Sequence, residues 1–410
     1  MPQILGIRIQ NFRSLADITL GQVAFDEGDA LPPIMCFIGP NGSGKSSVLD
    51  ALGFIADCLR EGVEAACDKP HRGGFQKLKT QGVSKPISFS LYFRQASASR
   101  PISYEFSIDE RGGTPSVVQE RLRQRRKGQT HGQPFPFVNL KNGRGDVWTG
   151  ESTETEEGNT KEKVALVDVS RLAITSLGQF TDHPRIVGLR KYIEDWYLSY
   201  FVPDASRGIP AAGAQKHLDR TGANLANFVQ YLERSHRSEF RKVLEQVAKR
   251  IPGIQSITHK PSADGRLLLQ FNEGGYKEPF FQQSMSDGTL KVFAYLMLLF
   301  DPEPHTFVGI EEPENGLYHK LLQTLGREFR DHAENSAGRL QMLVTTHSPY
   351  FVDSMKPEFV WLLEKNERGR TSARRLSDLP TVVELVEEGI PLGSLWYSNE
   401  FDERFVGLFK

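Results

Sequence analysis

The chain is poor in the features that hold or address a protein from outside a packed core. Three cysteines, Cys36, Cys58 and Cys67, are its whole complement. An odd number with no metal-ligand spacing excludes a disulfide framework and a cysteine-built zinc site, and it suits a reducing compartment. No apolar stretch approaches the length of a membrane span. The opening "MPQILGIRIQNF" lacks the basic region and apolar run of a secretory signal. These absences lead us to expect a soluble, cytoplasmic protein. Neither sign of charge dominates: Lys and Arg number 50 against 51 Asp and Glu, for a net charge of −1. No global field therefore draws the chain to nucleic acid or anionic lipid, and such binding would need a local patch. No heptad run is long enough for a coiled-coil arm, and no internal repeat is visible.

What is present is ordinary globular material, 39% apolar and 25% charged over 410 residues. That length suits one large α/β body with a substantial insertion, or two lobes. "ILGIRIQNF" and "ITL" alternate as strands do, and "PIMCFIGP" is a short continuous apolar run, as in a strand buried on both faces. "SSVLDALGFIADCL" puts Val48, Leu49, Leu52, Ile55 and Leu59 on one helical face. "ISFSLYF" and "ISYEFSI" read as an antiparallel pair, with "SVVQERL" a further strand. Between 124 and 163, "RQRRKGQTHG" is basic and "GESTETEEGNTKEK" acidic; both read as exposed hairpin tips or loops. "RIVGLRKYIEDWYLSYF" predicts one amphipathic helix ended by Pro203, and residues 222–251 predict one or two more. Beyond "LLLQF", helices alternate with "HTFVGIEEP", "LQMLVTTHSP" and "FVWLLEK", which argues a mainly parallel sheet.

Chemistry enters at "GPNGSGKSS", Gly39–Ser47, which matches G-x-x-x-x-G-K-S/T between an apolar strand and an amphipathic helix. Gly39, Asn41, Gly42, Ser43 and Gly44 let successive backbone N–H groups turn inward around phosphate oxygens, and the helix N-terminus adds its dipole. Lys45 would reach the β- and γ-phosphates, the Ser46 hydroxyl that ends the motif would ligate Mg²⁺, and Ser47 after it is also expected to bind the nucleotide. "TFVGIEEPEN" is an apolar strand ending in acids, and α/β geometry brings that end beside the phosphate loop. Glu311 would hold Mg²⁺, directly or through water, and Glu312 would polarise the attacking water. "LVTTHSP" ends a further strand in His347, placed to hydrogen-bond the γ-phosphate or that water. Lys45, Glu312 and His347 are thus the expected catalytic groups, with ATP and Mg²⁺ as cofactors.

With "QQSMSDGTLK" between them, these motifs stand in an order that resembles the ATP-binding-cassette type of ATPase. The opening "IRIQNFRSLADITL" with "FIGPNGSGKSSVLDAL", and the later "EEPENGLY" and "TTHSPYFVD", resemble its soluble RecF/SMC/OLD (overcoming-lysogenization-defect) branch of AAA-family ATPases. The resemblance covers roughly residues 1–60 and 280–365 with specific motifs. It implies an ABC-type P-loop head: a mixed sheet with flanking helices, an antiparallel β subdomain and a helical insertion. It makes "MSDGT" a signature segment. Ser286 and the amides near Gly288 would meet the γ-phosphate of an ATP bound to a second subunit, so the chain would work as a homodimer or higher oligomer. Asp287 and Thr289 depart from the usual Ser-Gly-Gly-Gln, and an acid at 287 could weaken anion binding unless it points away. The resemblance also places Arg13 near the nucleotide, Gln95 in the glutamine loop after the first lobe, and Asn315–Gly316 in a loop that crosses the dimer interface.

The expected organisation is a nucleotide-binding core at 1–60 and 280–365, an antiparallel β part with exposed loops at 61–175, a mainly helical insertion at 176–279, and a tail at 366–410 that could dock a partner through Trp396, Tyr397 and Phe401. OLD-type relatives carry a TOPRIM nuclease domain at the C-terminus. Here about sixty residues follow His347, without a D-x-D pair. The expectation is an ATPase that controls a partner effector, such as a nuclease, in antiviral defence. The alternative is a RecF-like repair ATPase binding DNA through "RLRQRRKG", Arg121–Gly128, with five positive charges. A transporter's nucleotide-binding subunit is a third reading, opposed by the "NFRS" opening and the long insertion between Gly44 and Ser286.

Overall fold

A computed structural model describes residues 2–23, 25, 28–149, 160–251, 253–336, 338 and 340–398. The strands run β1 (Gln3–Phe12), β2 (Leu15–Gly21), β3 (Ile34–Ile38), β4 (Ile87–Arg94), β5 (Ile102–Arg111), β6 (Thr114–Gln124), β7 (Phe135–Lys141), β8 (Arg144–Thr149) and β9 (Thr160–Ala165). They continue with β10 (Tyr197–Ser199), β11 (Ile254–Pro261), β12 (Leu267–Glu273), β13 (Phe280–Phe281), β14 (Phe307–Glu311), β15 (Gln341–Thr345), β16 (Val360–Lys365) and β17 (Thr371–Arg375). The described residues form an eight-stranded antiparallel sheet, β2-β1-β4-β5-β6-β7-β8-β9, and a six-stranded sheet, β10-β14-β15-β3-β16-β17, parallel except for β17. A small sheet, β11-β12-β13, completes the set.

The period-two alternation of the central strands builds two cores. Met35, Phe37, Phe307 and Leu343 face helix Lys45–Glu61, which lies between the two sheets. Ile34, Cys36, Ile38, Val308, Ile310, Met342 and Val344 face the opposite layer, made of helices Leu225–Ser235, Arg237–Arg250, Asp287–Leu299 and His319–Asn335. The layers are therefore sheet, helix, sheet, helices. Helix Lys45–Glu61 is buried on nearly every side, which explains its apolar character.

Buried charge fixes the helix against the following loop. Arg72 donates to Asp50 and Asp57, both at 2.9 Å, with its guanidinium 1% exposed. Removing it would leave two buried carboxylates short of a partner, at a cost of about 3–5 kcal/mol.

Several expectations change. Tyr197–Ser199 is not the end of a helix; helix Pro184–Glu194 stops first, and the three residues form the edge strand β10, parallel to β14. Their continuous burial serves a strand as well as a helix, so spacing alone did not separate the two. The stretch after 124 is not loop throughout: β7 and β8 extend the antiparallel sheet, with Val138 opposite Val147. Two prolines and "NGRG" obscured that alternation. The tip at 151–159 lies outside the described residues. The opening strands β1 and β2, read as strands from their alternation, lie in the eight-stranded sheet. β17, placed by sequence in the tail, is hydrogen-bonded to β16 and completes the six-stranded sheet. The segment 176–279 holds β10, β11 and β12 as well as its helices. Trp396 is packed on the second core while Tyr397 is 81% exposed, and Phe401 lies outside the described residues.

Candidate active site

The phosphate loop leaves the carboxyl edge of β3 and enters helix Lys45–Glu61 at Gly44. A Cβ at Gly39 would stand 2.1 Å from the Leu363 carbonyl, and one at Gly44 would stand 2.4 Å from Thr371 Oγ1. Both glycines have positive φ, 143° and 113°. The loop is pressed between its neighbours, and only glycine fits. At Gly42 a Cβ would meet nothing within 4 Å, which marks the open face of the cradle.

Lys45 is buried, and Nζ donates to the Gly39 and Pro40 carbonyls at 2.8 and 3.3 Å. It forms no ion pair among the described residues. Burial lowers its pKa, while Glu312, Glu314 and Glu311 pull it back up. A buried ammonium bound only to carbonyls of its own loop fits an anion that the loop encloses. Ser43 Oγ, buried without a partner, is a second unsatisfied group in the same cradle. Ser46 and Asn41 are exposed at its rim.

Across the edge, β15 lies between β3 and β14, so the acidic strand is the second neighbour of the loop strand. Glu311 ends β14 opposite Thr345. Glu312 has φ 41°, unusual for a side chain of its size, and its N–H donates to Thr345 O at 2.9 Å. This left-handed turn lifts the Glu312 carboxyl away from the strand direction. Its Oε2 accepts from Asn315 Nδ2 at 3.1 Å, and its Oε1 lies 3.5 Å from His347 Nδ1. A non-glycine residue held in this region is strained and persists only where its surroundings fix it.

Sequence reasoning gave no role to Glu314. It is 7% exposed; Oε1 accepts the Thr346 hydroxyl at 2.8 Å and the His347 N–H at 2.6 Å, and lies 3.1 Å from His347 Nδ1. Its Oε2 is buried without a partner. The signal was present as a third acid in "EEPEN", but its inward direction is a property of the turn at Glu312.

The signature helix starts at Asp287, capped by Ser286, whose Oγ accepts Thr289 N–H at 3.2 Å. Ser286 and Asp287 are exposed, so the helix N-terminus faces outward from its own subunit. Asp287 is held by Arg207, which also donates to Met285 O at 2.9 Å and lies 2.6 Å from Asp204. The Arg207 pKa is raised by this partner. The departure from the usual signature thus carries its own counter-charge. A Cβ on Gly288 would stand 3.1 Å from Gly316 O, so the signature packs on the Asn315–Gly316 loop. Buried Lys291 reinforces that contact by donating to Asn315 O at 2.7 Å.

Arg13 sits in a left-handed turn, φ 50°, and its guanidinium lies 2.9 Å from Asp50, a little over one turn into the loop's helix. Gln95 is a correction. β1 pairs with β4 so that Gln3 faces Arg94, which puts Gln95 at the end of β1 remote from Arg13 and packed on Gly188. At about 3.3 Å per residue that is roughly 30 Å from the Arg13 turn.

A family model described as "AAA domain, putative AbiEii toxin, Type IV TA system" matches residues 34–353. The chain belongs to that family. The AAA protein is also similar to the Smc head bound to the C-winged helix domain of ScpA, at 14% identity over 92% of this chain and 99% of that one, with a TM-score of 0.54. A second likeness is the Smc head domain with an extended coiled coil bound to the C-terminal domain of ScpA, derived from Pyrococcus furiosus, at 15% identity over 94% and 100% of the two chains, with a TM-score of 0.50. At these identities the likeness establishes the fold: an ABC-type P-loop head. A comparison with curated proteins found no match.

The residues present fit Mg-ATP. Among the described residues no group of three or more His, Cys, Asp and Glu could hold a metal unaided. Mg²⁺ beside phosphates needs only one or two protein ligands. Ser46 and Glu311 would supply them, and the ion would neutralise β- and γ-phosphate oxygens. No helix among the described residues is long and apolar enough to cross a membrane.

Proposed function

We propose that this AAA protein binds and hydrolyses ATP between two copies of itself and uses the cycle to control a partner effector. The observation that carries the reading is one edge of the six-stranded sheet. It presents the buried Lys45 of the phosphate loop, which has no ion-pair partner among the described residues, the strained Glu312 and the Glu314-held His347, while the capped signature N-terminus at Ser286 is exposed. An exposed helix N-terminus is free to receive an anion, and the order of the motifs supports reading that anion as the γ-phosphate of an ATP held by a second subunit. Lys45 holds the phosphates. Glu312 orients the attacking water, and His347 hydrogen-bonds that water or the γ-phosphate. Closing and reopening, not a small-molecule product, is the output.

The family description names a toxin of a toxin–antitoxin system, and the Smc head is seen with a protein partner. Both support a two-component setting, which we read as antiviral defence with a nuclease or similar effector. The DNA-binding alternative rests on Arg121–Gly128. Arg121 and Arg123 are both ion-paired to Glu105, leaving fewer charges of that run for phosphates.

The test joins turnover to assembly. Glu312→Gln should bind ATP, hydrolyse it at least about a hundredfold more slowly, and accumulate as a dimer in light scattering with Mg-ATP. Lys45→Ala should neither bind nor dimerise. Normal turnover by Glu312→Gln would remove its catalytic role. A monomer at every nucleotide concentration would remove the shared site.

A further inference from the structure

The phosphate loop is held from outside by one residue of a strand some 330 residues away. Thr371, the first residue of β17, is 5% exposed. Its hydroxyl donates to the Ser43 carbonyl at 2.7 Å and lies 2.8 Å from Ser14 Oγ. A hydroxyl has one proton. With that proton on Ser43 O, the Ser14 hydroxyl donates to the Thr371 oxygen, and a relay runs Ser14, Thr371, Ser43. The Thr371 N–H meanwhile donates to Ser14 O at 2.8 Å, which fixes the threonine in the β1–β2 turn.

The consequence lies in the peptide that Thr371 grips. A trans peptide is planar, with its C=O and N–H pointing in opposite directions. Drawing the Ser43 carbonyl outward to Thr371 therefore turns the Gly44 N–H inward, toward the hollow of the loop. The crowding agrees: the Cβ that Gly44 lacks would fall 2.4 Å from the same Thr371 Oγ1. Loop and threonine are fitted to each other at two consecutive residues.

We infer that Thr371 is a positioning residue for the bound nucleotide: its hydroxyl, oriented by Ser14, aims the Gly44 amide at the phosphates. The inference rests on the proposed ATP-binding reading of the loop. It also gives the C-terminal segment a place in the site. β17 clips to the phosphate loop at Thr371, and the chain then returns to the helix after His347, where Gly393 N–H donates to Asp353 Oδ1 at 2.8 Å.

Thr371→Val keeps the shape and removes the hydroxyl. It should raise the KM and Kd for ATP about tenfold while leaving kcat within about twofold, since an amide that binds ground and transition states alike alters KM alone. Thr371→Ser should restore wild-type affinity. Thermal unfolding of each variant, without nucleotide, shows whether the fold is intact. A folded Thr371→Val chain with wild-type KM would overturn the inference, as would a folded Thr371→Ser chain as weak as the valine variant. If Thr371→Val fails to fold, Ser14→Ala, which removes only the orienting partner, should show a smaller rise in KM; an unchanged KM there overturns the relay. Absence of ATP binding in the wild-type chain would instead overturn the nucleotide reading itself.

Discussion

Glu314 Oε1 accepts the His347 N–H at 2.6 Å and stands 3.1 Å from Nδ1 of the same residue. One carboxylate thus holds the backbone of the histidine at the end of β15 and stands beside its ring. Glu314→Ala would leave the Thr346 hydroxyl and the His347 amide without their acceptor, costing about 1–3 kcal/mol of stability. With the His347 backbone released and the acid beside its ring gone, kcat should fall about a hundredfold, with ATP affinity little changed. Glu314→Gln keeps Oε1 as an acceptor and should retain most turnover. Steady-state kinetics with a separate binding titration checks this; equal kcat in the alanine variant and the wild type would show that His347 needs no such support.

Asp287 is the position where the signature departs from its usual form, and Arg207 neutralises it. Arg207→Ala should release the acid at the mouth of the helix N-terminus. Repulsion of a partner's phosphates would then weaken the closed dimer about tenfold or more, a cost of at least about 1 kcal/mol at a helix terminus, while ATP binding by the isolated subunit stays intact. The double change Arg207→Ala, Asp287→Asn should recover the dimer. Analytical ultracentrifugation with Mg-ATP measures both. A double variant no better than the single one would show that Arg207 acts through Asp204 or Met285 instead.

The parts legible in the sequence were those whose chemistry is local. A phosphate loop needs consecutive residues, so Gly39–Ser47 could be read directly, and "GIEEPEN" and "TTHSP" announced strand ends by an apolar run followed by polar groups. Glu314, Thr371 and Arg207 were not legible because each acts across a long separation. Thr371 meets Ser43 only because β17 closes the six-stranded sheet, and Arg207 meets Asp287 from 80 residues upstream. β10 was misread for a related reason. Its three buried residues follow a true helix, and only pairing with β14 reveals a strand. Gln95 failed through register, since nothing in "FRQAS" tells which end of β4 faces the nucleotide.

Glu120 offers a test of the antiparallel sheet. Its fully buried carboxyl accepts from Tyr104 Oη and the Ile174 N–H, both at 3.1 Å, and from Ala173 N–H at 2.5 Å. Burial pushes its pKa up to about 7 from an ordinary 4.5, although the backbone donors and Tyr104 oppose the shift. The folded state therefore holds this proton more tightly than the unfolded chain. Stability from Glu120 is full below pH 4.5, falls as pH rises toward 7, and levels off above, a change on the order of 3 kcal/mol. Urea unfolding at a series of pH values should show this decline, and Glu120→Gln, which cannot ionise, should flatten that part of the profile. An unaltered slope in the variant would assign the decline to other groups.

Gly39 and Gly42 both have positive φ in the same loop, and the structure separates them. Alanine at Gly39 would need its Cβ 2.1 Å from the Leu363 carbonyl carried by β16, an approach no relaxation of a side chain can relieve. Either the loop or the strand must move. Gly39→Ala should cost about 3 kcal/mol or more, in the range of severe backbone strain, and abolish ATP binding even where the chain still folds. Alanine at Gly42 meets nothing within 4 Å, and its φ of 80° is the sole obstacle. Gly42→Ala should cost only about 1 kcal/mol in thermal stability. Its new methyl, however, projects from the open face of the cradle, where the phosphates would sit, and should weaken ATP by at least about tenfold. The two variants therefore part on stability and agree on binding. Gly42→Ala with wild-type ATP affinity would place the phosphates elsewhere than in this cradle.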